Sequence, residues 1–135
     1  MVETKDIRPS EGEDPATLAQ ETIELVDNGR WQLCNSGKGL ERQFKFKTFK
    51  ATWDFMNTVA AECKTQKHHP EWTNVYNKTH IQWTTHNPEG LSSRDTRMAR
   101  FCDEVGTEKG ELPAESGDVK VTKGEMVAGD CCKKG

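Results

Sequence analysis

Apolar side chains recur at helical spacing in three stretches of the chain, and polar and apolar side chains alternate in four others. The clearest helical stretch carries five apolar residues at steps of four, three, four and three, namely Phe49, Trp53, Met56, Ala60 and Cys63. These steps place the five residues on one face of a helix. Phe55 and Val59 widen that face, so both a core position and a subunit contact are open interpretations of this helix.

Two shorter helical stretches flank the long one and carry residues typical of helix ends. The first starts at Asp14-Pro15, a capping residue followed by proline at the first helical position, and closes at Asn28-Gly29. The last follows Ser92, which stands three residues before Asp95 in an arrangement close to a capping box. Its apolar face consists of Met98, Ala99, Cys102 and Val105.

The stretches with strand patterning form two hairpins, one before and one after the long helix. Segments 30–34 and 41–47 are joined by a glycine-containing turn, and segments 71–76 and 80–85 are joined at Asn77-Lys78. Together the elements predict an α+β chain in the order α-β-β-α-β-β-α. Alternation along the last strand puts His80, Gln82, Thr84 and His86 on one side, and Ile81, Trp83 and Thr85 on the other.

The two ends of the chain lack these patterns. Residues 1–14 are charged and poor in large apolar side chains, and residues 106–135 hold six of the eleven glycines without any aromatic residue. We therefore expect a flexible leader over 1–14, one domain over 15–105 and a disordered tail over 106–135.

Composition narrows the classes of function. The formal net charge of -3 gives no basic surplus for binding nucleic acid directly. No stretch approaches the roughly 18 apolar residues that span a membrane, and the N-terminus lacks the apolar centre of a secretory signal. The five cysteines are scattered without a C-x-x-C pair, which is typical of free thiols in a reducing compartment. We expect a cytoplasmic protein, with the nucleus as a further location.

All four histidines lie between Lys64 and Asp95. Antiparallel pairing of the second hairpin returns the chain, so His86 at the end of one strand is expected close to His68 and His69 at the start of the other. His80 belongs to the turn end of the hairpin and is expected to be structural. The sequence therefore predicts three imidazoles around one pocket mouth.

Three interpretations of this cluster remain open from the residues alone. One neutral imidazole can accept a proton while a protonated one donates, which suits dehydration or tautomerisation near neutral pH. Three histidines can also hold zinc, although no H-E-x-x-H motif is present and adjacent histidines on extended backbone diverge. The third interpretation is a set of capping or surface histidines in an α+β domain.

A long, ordered set of motifs around these histidines resembles the pterin-4a-carbinolamine dehydratase family. The motifs are K-x-x-x-H-H-P at 64–70, W-x-N-V-Y-N-K at 72–78, H-I at 80–81, T-H at 85–86 and G-L-S-x-R-D at 90–95. The resemblance extends over roughly 15–105. It implies a four-stranded antiparallel sheet with three helices on one face. It also implies loss of water from 4a-hydroxytetrahydrobiopterin to give quinonoid dihydropterin, in tetrahydrobiopterin recycling, with no metal or organic cofactor.

The resemblance also implies roles for individual residues. His68, His69 and His86 correspond to the active-site histidines of the family. We assign His86 as the acid that protonates the leaving hydroxyl and His68 as the base that removes the N5 proton, and the sequence leaves the reverse assignment open. His69 is assigned to binding the pterin ring.

Five further positions complete the expected site. Trp31 corresponds to a tryptophan that lines the family's pocket, with a core position in the first strand equally open. Thr84 and Thr85 would offer backbone groups to the pterin, and Asp95 belongs to the family motif while also suiting a helix start. Lys64 is a departure, because this position is often glutamate in the family. A cation there would disfavour protonation of a nearby imidazole, whereas a carboxylate would favour it.

The expected partners follow from the same resemblance. A small-molecule pterin is the substrate, and the chain is expected to form a homodimer or a homotetramer through its second helix. Some animal members of the family also bind a homeodomain transcription factor and stabilise its dimer. A dimerisation cofactor or transcriptional coactivator is therefore the alternative function, although retention of all three histidines favours catalysis.

Overall fold

Three helices and a curled antiparallel sheet form the part of the chain described by the computed structural model, residues 2–113. The helices are α1 (Pro15–Asp27), α2 (Phe49–Gln66) and α3 (Ser93–Glu108). The strands are β1 (Gln32–Cys34), β2 (Gly39–Lys45), β3 (Glu71–Val75), β4 (Lys78–His86) and β5 (Glu89–Gly90). Short 3₁₀ turns occupy Thr4–Asp6 and Asn35–Gly37.

The sheet has the order β1-β2-β4-β3, and all neighbouring strands are antiparallel. The predicted fold class, an antiparallel sheet with three helices in the order α-β-β-α-β-β-α, is confirmed. The addition is β5, whose two residues pair with the end of β4 through Thr85↔Gly90 and His86↔Glu89. A two-residue strand is too short to leave an alternating pattern in the sequence, which is why it was not predicted.

The hydrophobic core lies between the sheet and the helices. Leu40 of β2 is paired with Trp83 of β4, so both point to the helices, and both are fully buried. Phe55 of α2 packs against Phe44 of β2 and against Phe46, which follows that strand. The Phe44 and Phe55 ring centroids are 4.7 Å apart, and those of Phe46 and Phe55 are 5.0 Å apart. Offset ring pairs at this spacing add to the stability that burial itself provides.

The first residues of the chain contact the domain at several points. Ile7 is buried in the hydrophobic core, and the amide of Arg8 donates to the carbonyl of Gly37 at 2.9 Å. We call residues 7–13 the N-terminal strap. These contacts are not apparent from the sequence, because one isolated isoleucine carries no periodic signal, and flexibility of the leader over 1–14 stays a prediction.

The stretch predicted as a tail begins with residues that contact the domain. Helix α3 runs three residues past Val105 to Glu108. Beyond it, Glu111 pairs with Arg30 and Arg42, and the amide of Leu112 donates to the carbonyl of Lys45 at 2.9 Å. The rest of the predicted tail, with the Cys131-Cys132 pair, lies outside the described residues.

Candidate active site

The end of α2 determines where His68 lies. Helix α2 stops at Gln66, and Lys67 then adopts a left-handed conformation with φ of 56°. This turn directs the amide of His68 back to the carbonyl of Cys63, which accepts it at 3.2 Å. A left-handed residue just after a helix satisfies its last carbonyls and reverses the chain direction. The His68 side chain consequently enters the interior, where it is only 9% exposed.

A buried carboxylate holds His68 in place. Nε2 of His68 lies 2.6 Å from Oδ1 of Asp95, which is itself fully buried. The second oxygen of Asp95 accepts from the hydroxyl of Thr85 and from the amide of Ser92, each at 2.9 Å. The same carboxylate thus closes the capping box of α3 and binds the histidine. A buried charge requires such a set of partners, because an unpaired one is costly.

This arrangement fixes which nitrogen of His68 can react. A carboxylate is an acceptor only, so Nε2 carries the hydrogen and donates it to Asp95. In the neutral ring Nδ1 is then the proton acceptor. The ring also stacks on Trp83, with centroids 5.6 Å apart and planes inclined by 23°. These two contacts hold the imidazole in one orientation and leave Nδ1 as its basic nitrogen.

The other two predicted catalytic histidines occupy different surroundings. His69 and His86 are both exposed. His86 follows Thr85 on β4, so its side chain leaves the opposite side of the strand from the Thr85 hydroxyl that bonds Asp95. The structure therefore brings His68, Thr85 and Asp95 together, whereas convergence of His69 and His86 on His68 stays a prediction.

Trp31 lies in the core, which is the second of the two interpretations that the sequence allows. It is fully buried, and its indole nitrogen donates to Asp103 at 2.9 Å. Asp103 is eight residues after Asp95 on α3, or about 12 Å along the helix axis. A side chain without any exposed surface in this conformation favours the core position, and contact between Trp31 and a substrate stays a prediction.

Two further residues of the predicted site, Lys64 and Thr84, have side chains that lie away from the His68–Asp95 pair. Lys64 is exposed in the last turn of α2. The Thr84 hydroxyl donates to the carbonyl of Lys38 at 2.6 Å, on the side of β4 away from Asp95. Neither residue contacts the His68–Asp95 pair through its side chain.

The family model described as pterin 4 alpha carbinolamine dehydratase matches residues 14–105. The chain belongs to this family.

Individual relatives agree with the family match. A protein of Novosphingobium aromaticivorans, provisionally named a pterin-4-alpha-carbinolamine dehydratase, is 43% identical over 87 residues, which are 64% of this chain and 91% of that protein. A crystal structure from Brucella melitensis, described as a transcriptional coactivator/pterin dehydratase, is 32% identical with a TM-score of 0.59 and covers 64% of this chain and 94% of its own.

A more distant structure shares the fold alone. It is described as a pterin dehydratase-like protein that acts as a RuBisCO assembly factor in the alpha-carboxysome. It is 18% identical with a TM-score of 0.51, and it covers 57% of this chain and 89% of its own. The same fold therefore occurs with a different function.

The fourth histidine of this family member makes a separate buried pair. Nε2 of His80 lies 3.0 Å from Oε1 of Glu41, and Oε2 of Glu41 accepts from the Gln32 side chain at 2.9 Å. These residues lie on the side of the sheet away from the helices. Because His80 has no exposed surface, its contacts are those of a structural residue, which is the role that its position near the hairpin turn predicts.

Other reactive chemistry is not apparent near the site. Burial, together with the charges of Glu41, Glu71 and Asp95, raises the pKa of the Cys34 thiol to about 12, so this cysteine is a poor nucleophile at neutral pH. Residues 2–113 contain no group of three or more His, Cys, Asp or Glu side chains arranged to hold a metal ion. In the same residues no helix is long and apolar enough to cross a bilayer.

Sequence reasoning missed two residues that complete the site. Ser92 supplies the amide that binds Asp95, and its hydroxyl lies 2.6 Å from the Thr85 hydroxyl. Trp83 supplies the surface on which His68 stacks. The capping-box spacing of Ser92 and Asp95 was the available signal, since a carboxylate fixed by a cap has one oxygen left for another partner.

Proposed function

We propose that this chain dehydrates a 4a-hydroxytetrahydropterin, such as 4a-hydroxytetrahydrobiopterin, to the quinonoid dihydropterin by histidine acid/base catalysis. The observation that carries the proposal is the buried pair of His68 and Asp95, with Nε2 and Oδ1 2.6 Å apart, in a member of the pterin dehydratase family. A histidine held by a carboxylate through one nitrogen has the other nitrogen free to exchange a proton with a substrate.

The chemistry requires one proton to be delivered and one to be removed. The hydroxyl on C4a leaves as water once it is protonated, and loss of the N5 proton lets the electron pair form the C4a–N5 double bond. His68 takes the N5 proton on Nδ1, and the carboxylate of Asp95 stabilises the imidazolium that results. His86, which is exposed at the end of β4, donates the proton to the hydroxyl. Each proton transfer contributes roughly 10²–10⁴-fold to the rate.

Binding of the pterin is assigned to residues around the same end of the sheet. His69 contacts the pterin ring, and the backbone groups of Thr84 and Thr85 face its amide edge. Lys64 is exposed on the last turn of α2, and its positive charge disfavours protonation of any histidine that it approaches. The physiological setting proposed is tetrahydrobiopterin recycling in the cytoplasm, after an aromatic amino acid hydroxylase and before a reductase.

The experiment is a dehydration assay with synthetic 4a-hydroxytetrahydropterin. Wild type, His68→Ala, His86→Ala and the matched control His80→Gln are compared, with circular dichroism to verify folding. We expect wild type to accelerate dehydration, both alanine variants to lose about 10²-fold or more, and the folded control to remain near wild type. No acceleration by folded wild type would reject the enzyme function.

A second candidate function is binding to a partner protein. Phe49 and Trp53 on α2 are 46% and 40% exposed and form an edge-to-face ring pair with centroids 6.0 Å apart. Exposed aromatic pairs of this kind are common in protein interfaces. The Brucella melitensis protein described as a coactivator adds support. A partner-binding function predicts that His68→Ala keeps full binding while Trp53→Ser loses it.

A further inference from the structure

Ser92 is the link between the strap and the histidine site. Its amide donates to Asp95, whose other oxygen binds His68. Both chain neighbours of Ser92 are bound by the N-terminal strap. The amide of Leu91 donates to the carbonyl of Arg8 at 2.9 Å, and the carbonyl of Leu91 accepts from the amide of Ser10 at 2.7 Å.

The residue after Ser92 is fixed in the same way. The amide of Ser93, the first residue of α3, donates to Oε1 of Glu13 at 3.1 Å. Amides in the first turn of a helix have no partner within the helix, so a carboxylate supplied from elsewhere satisfies this one. Strap residues therefore bind both sides of the Ser92 position.

The strap also holds the turn that follows His86. The Ser10 hydroxyl donates to the carbonyl of Pro88 at 2.8 Å. At Gly90, with φ of 137°, an added Cβ would lie 2.7 Å from the Ser10 amide nitrogen, so only glycine permits this approach. The sheet itself holds the turn through only the two residue pairs of β4 and β5. Much of the support for the segment that joins His86 to Asp95 therefore comes from the strap.

The strap is itself anchored to the core, and it precedes the residues that the family model matches. Ile7 is buried in the core at 4% exposure, and Ser10 is buried to the same degree. The match to the family model begins at residue 14, so residues 7–13 lie outside the matched region. The contacts with Leu91 and Ser93 thus come from residues that the family model does not match.

We propose that the N-terminal strap positions the His68–Asp95 pair, with Ser10 and Glu13 as the positioning residues. The inference rests on the proposed dehydratase function for its catalytic consequence. The strap fixes Leu91 and Ser93, these fix the Ser92 amide, and that amide fixes the Asp95 carboxylate against His68. Loosening the strap lowers the fraction of molecules in which His68 is correctly oriented. Because the strap acts on the catalytic pair and not on substrate contacts, this loss lowers kcat more than it raises KM.

The test compares Ser10→Ala and Glu13→Ala with the matched control Glu11→Ala, which changes an exposed side chain of the same strap. We expect each positioning variant to lower kcat about five- to tenfold with KM nearly unchanged, which corresponds to the loss of one hydrogen bond. Ser10→Thr retains the hydroxyl and should recover most of the rate, and Glu11→Ala should match wild type. Lower melting temperatures with unchanged kcat well below melting would mean a merely structural role and would overturn the inference.

A second readout keeps this test independent of the dehydratase assay. Hydrogen exchange at the amides of Ser92 and Ser93, and the ring signals of His68 in nuclear magnetic resonance spectra, are measured on the same variants. We expect faster exchange at both amides and displaced His68 signals in Ser10→Ala and Glu13→Ala but not in Glu11→Ala. If the wild type does not dehydrate the substrate but the two variants show these changes, the proposed function is rejected and the role of the strap is retained. Unchanged exchange and unchanged His68 signals would overturn the strap's role.

Discussion

Asp95 shows how one side chain can serve the fold and the site together. Its sequence position predicts a helix cap, and the structure confirms that cap through the amide of Ser92. What the sequence does not show is that the other oxygen binds His68, which lies 27 residues earlier. Pairing at that distance depends on how α2 ends and on where α3 packs, and no local pattern records either.

The Thr85 hydroxyl is a second single group that we expect to contribute to both stability and dehydration rate, beyond the predicted backbone contact of Thr85 with the pterin. Thr85→Val keeps the shape but removes the donor to Asp95 at 2.9 Å and leaves a buried carboxylate oxygen with one partner fewer. We expect a loss of about 1–3 kcal/mol in the free energy of unfolding and about tenfold in dehydration rate. Urea unfolding and the dehydration assay measure the two effects. Thr85→Ser keeps the hydroxyl and should stay close to wild type in both, and an unchanged Thr85→Val would show that the bond has no role.

The elements that the sequence predicts well are those in which the pattern of apolar residues repeats over many residues. Helix α2 has an apolar stripe over four turns and a Thr48 cap that accepts from the Ala51 amide at 3.0 Å, so its existence and its start were predicted. Its buried face is offset from that stripe, because Phe55 and Val59 are buried whereas Phe49 and Trp53 at the start of the stripe are exposed. The elements that the sequence does not predict have no repeating pattern of apolar residues. They are the two residues of β5, the strap with its single buried Ile7, and the segment that follows α3. Each is held by contacts with distant parts of the chain.

The segment after α3 offers a test at this scale. Arg42 is 5% exposed and pairs with both Asp103 and Glu111, while burial raises the pKa of Glu111 and the charge of Arg42 lowers it. Glu111→Ala removes one of two carboxylates from a buried guanidinium. We expect the free energy of unfolding in urea to fall by about 1–3 kcal/mol.

Glu108→Ala is the matched control for that measurement. Its side chain is 69% exposed and its nearest cation, Lys109, is 3.9 Å away, so its removal should change stability by less than about 0.5 kcal/mol. Equal effects of the two substitutions would show that the Arg42 pairs add nothing to stability.

For the whole molecule, the fold follows from the sequence more completely than the site does. Two hairpins and three amphipathic helices leave few ways to bury their apolar faces, and the observed sheet order is one of them. The site depends on finer detail. The first residue of β3, Glu71, pairs with Gln82, which is four residues before His86. Side-chain direction along β4 alternates at every residue, so Thr85 and His86 face opposite sides.

Self-association is the prediction that belongs to this scale. The exposed Phe49 and Trp53 of α2 are expected to be covered in a homodimer or homotetramer, because an exposed aromatic pair is unfavourable in water. Light scattering should give a mass of two or four times 15.3 kDa. Trp53→Ser should shift the protein towards the monomer, whereas Tyr76→Ser, which changes the exposed tyrosine of the second hairpin, should not. A wild type that is monomeric at every concentration would contradict this prediction.

The most direct test of the account is a double-mutant cycle on His68 and Asp95. Dehydration rates are measured for wild type, His68→Ala, Asp95→Asn and the double variant, with folding verified by circular dichroism. If the carboxylate acts by holding the imidazole, each single substitution should cost about 10²-fold or more, and the double variant should be no slower than His68→Ala alone. Fully additive losses, or an Asp95→Asn protein that is folded and as active as wild type, would contradict the claim that the two residues work as one unit.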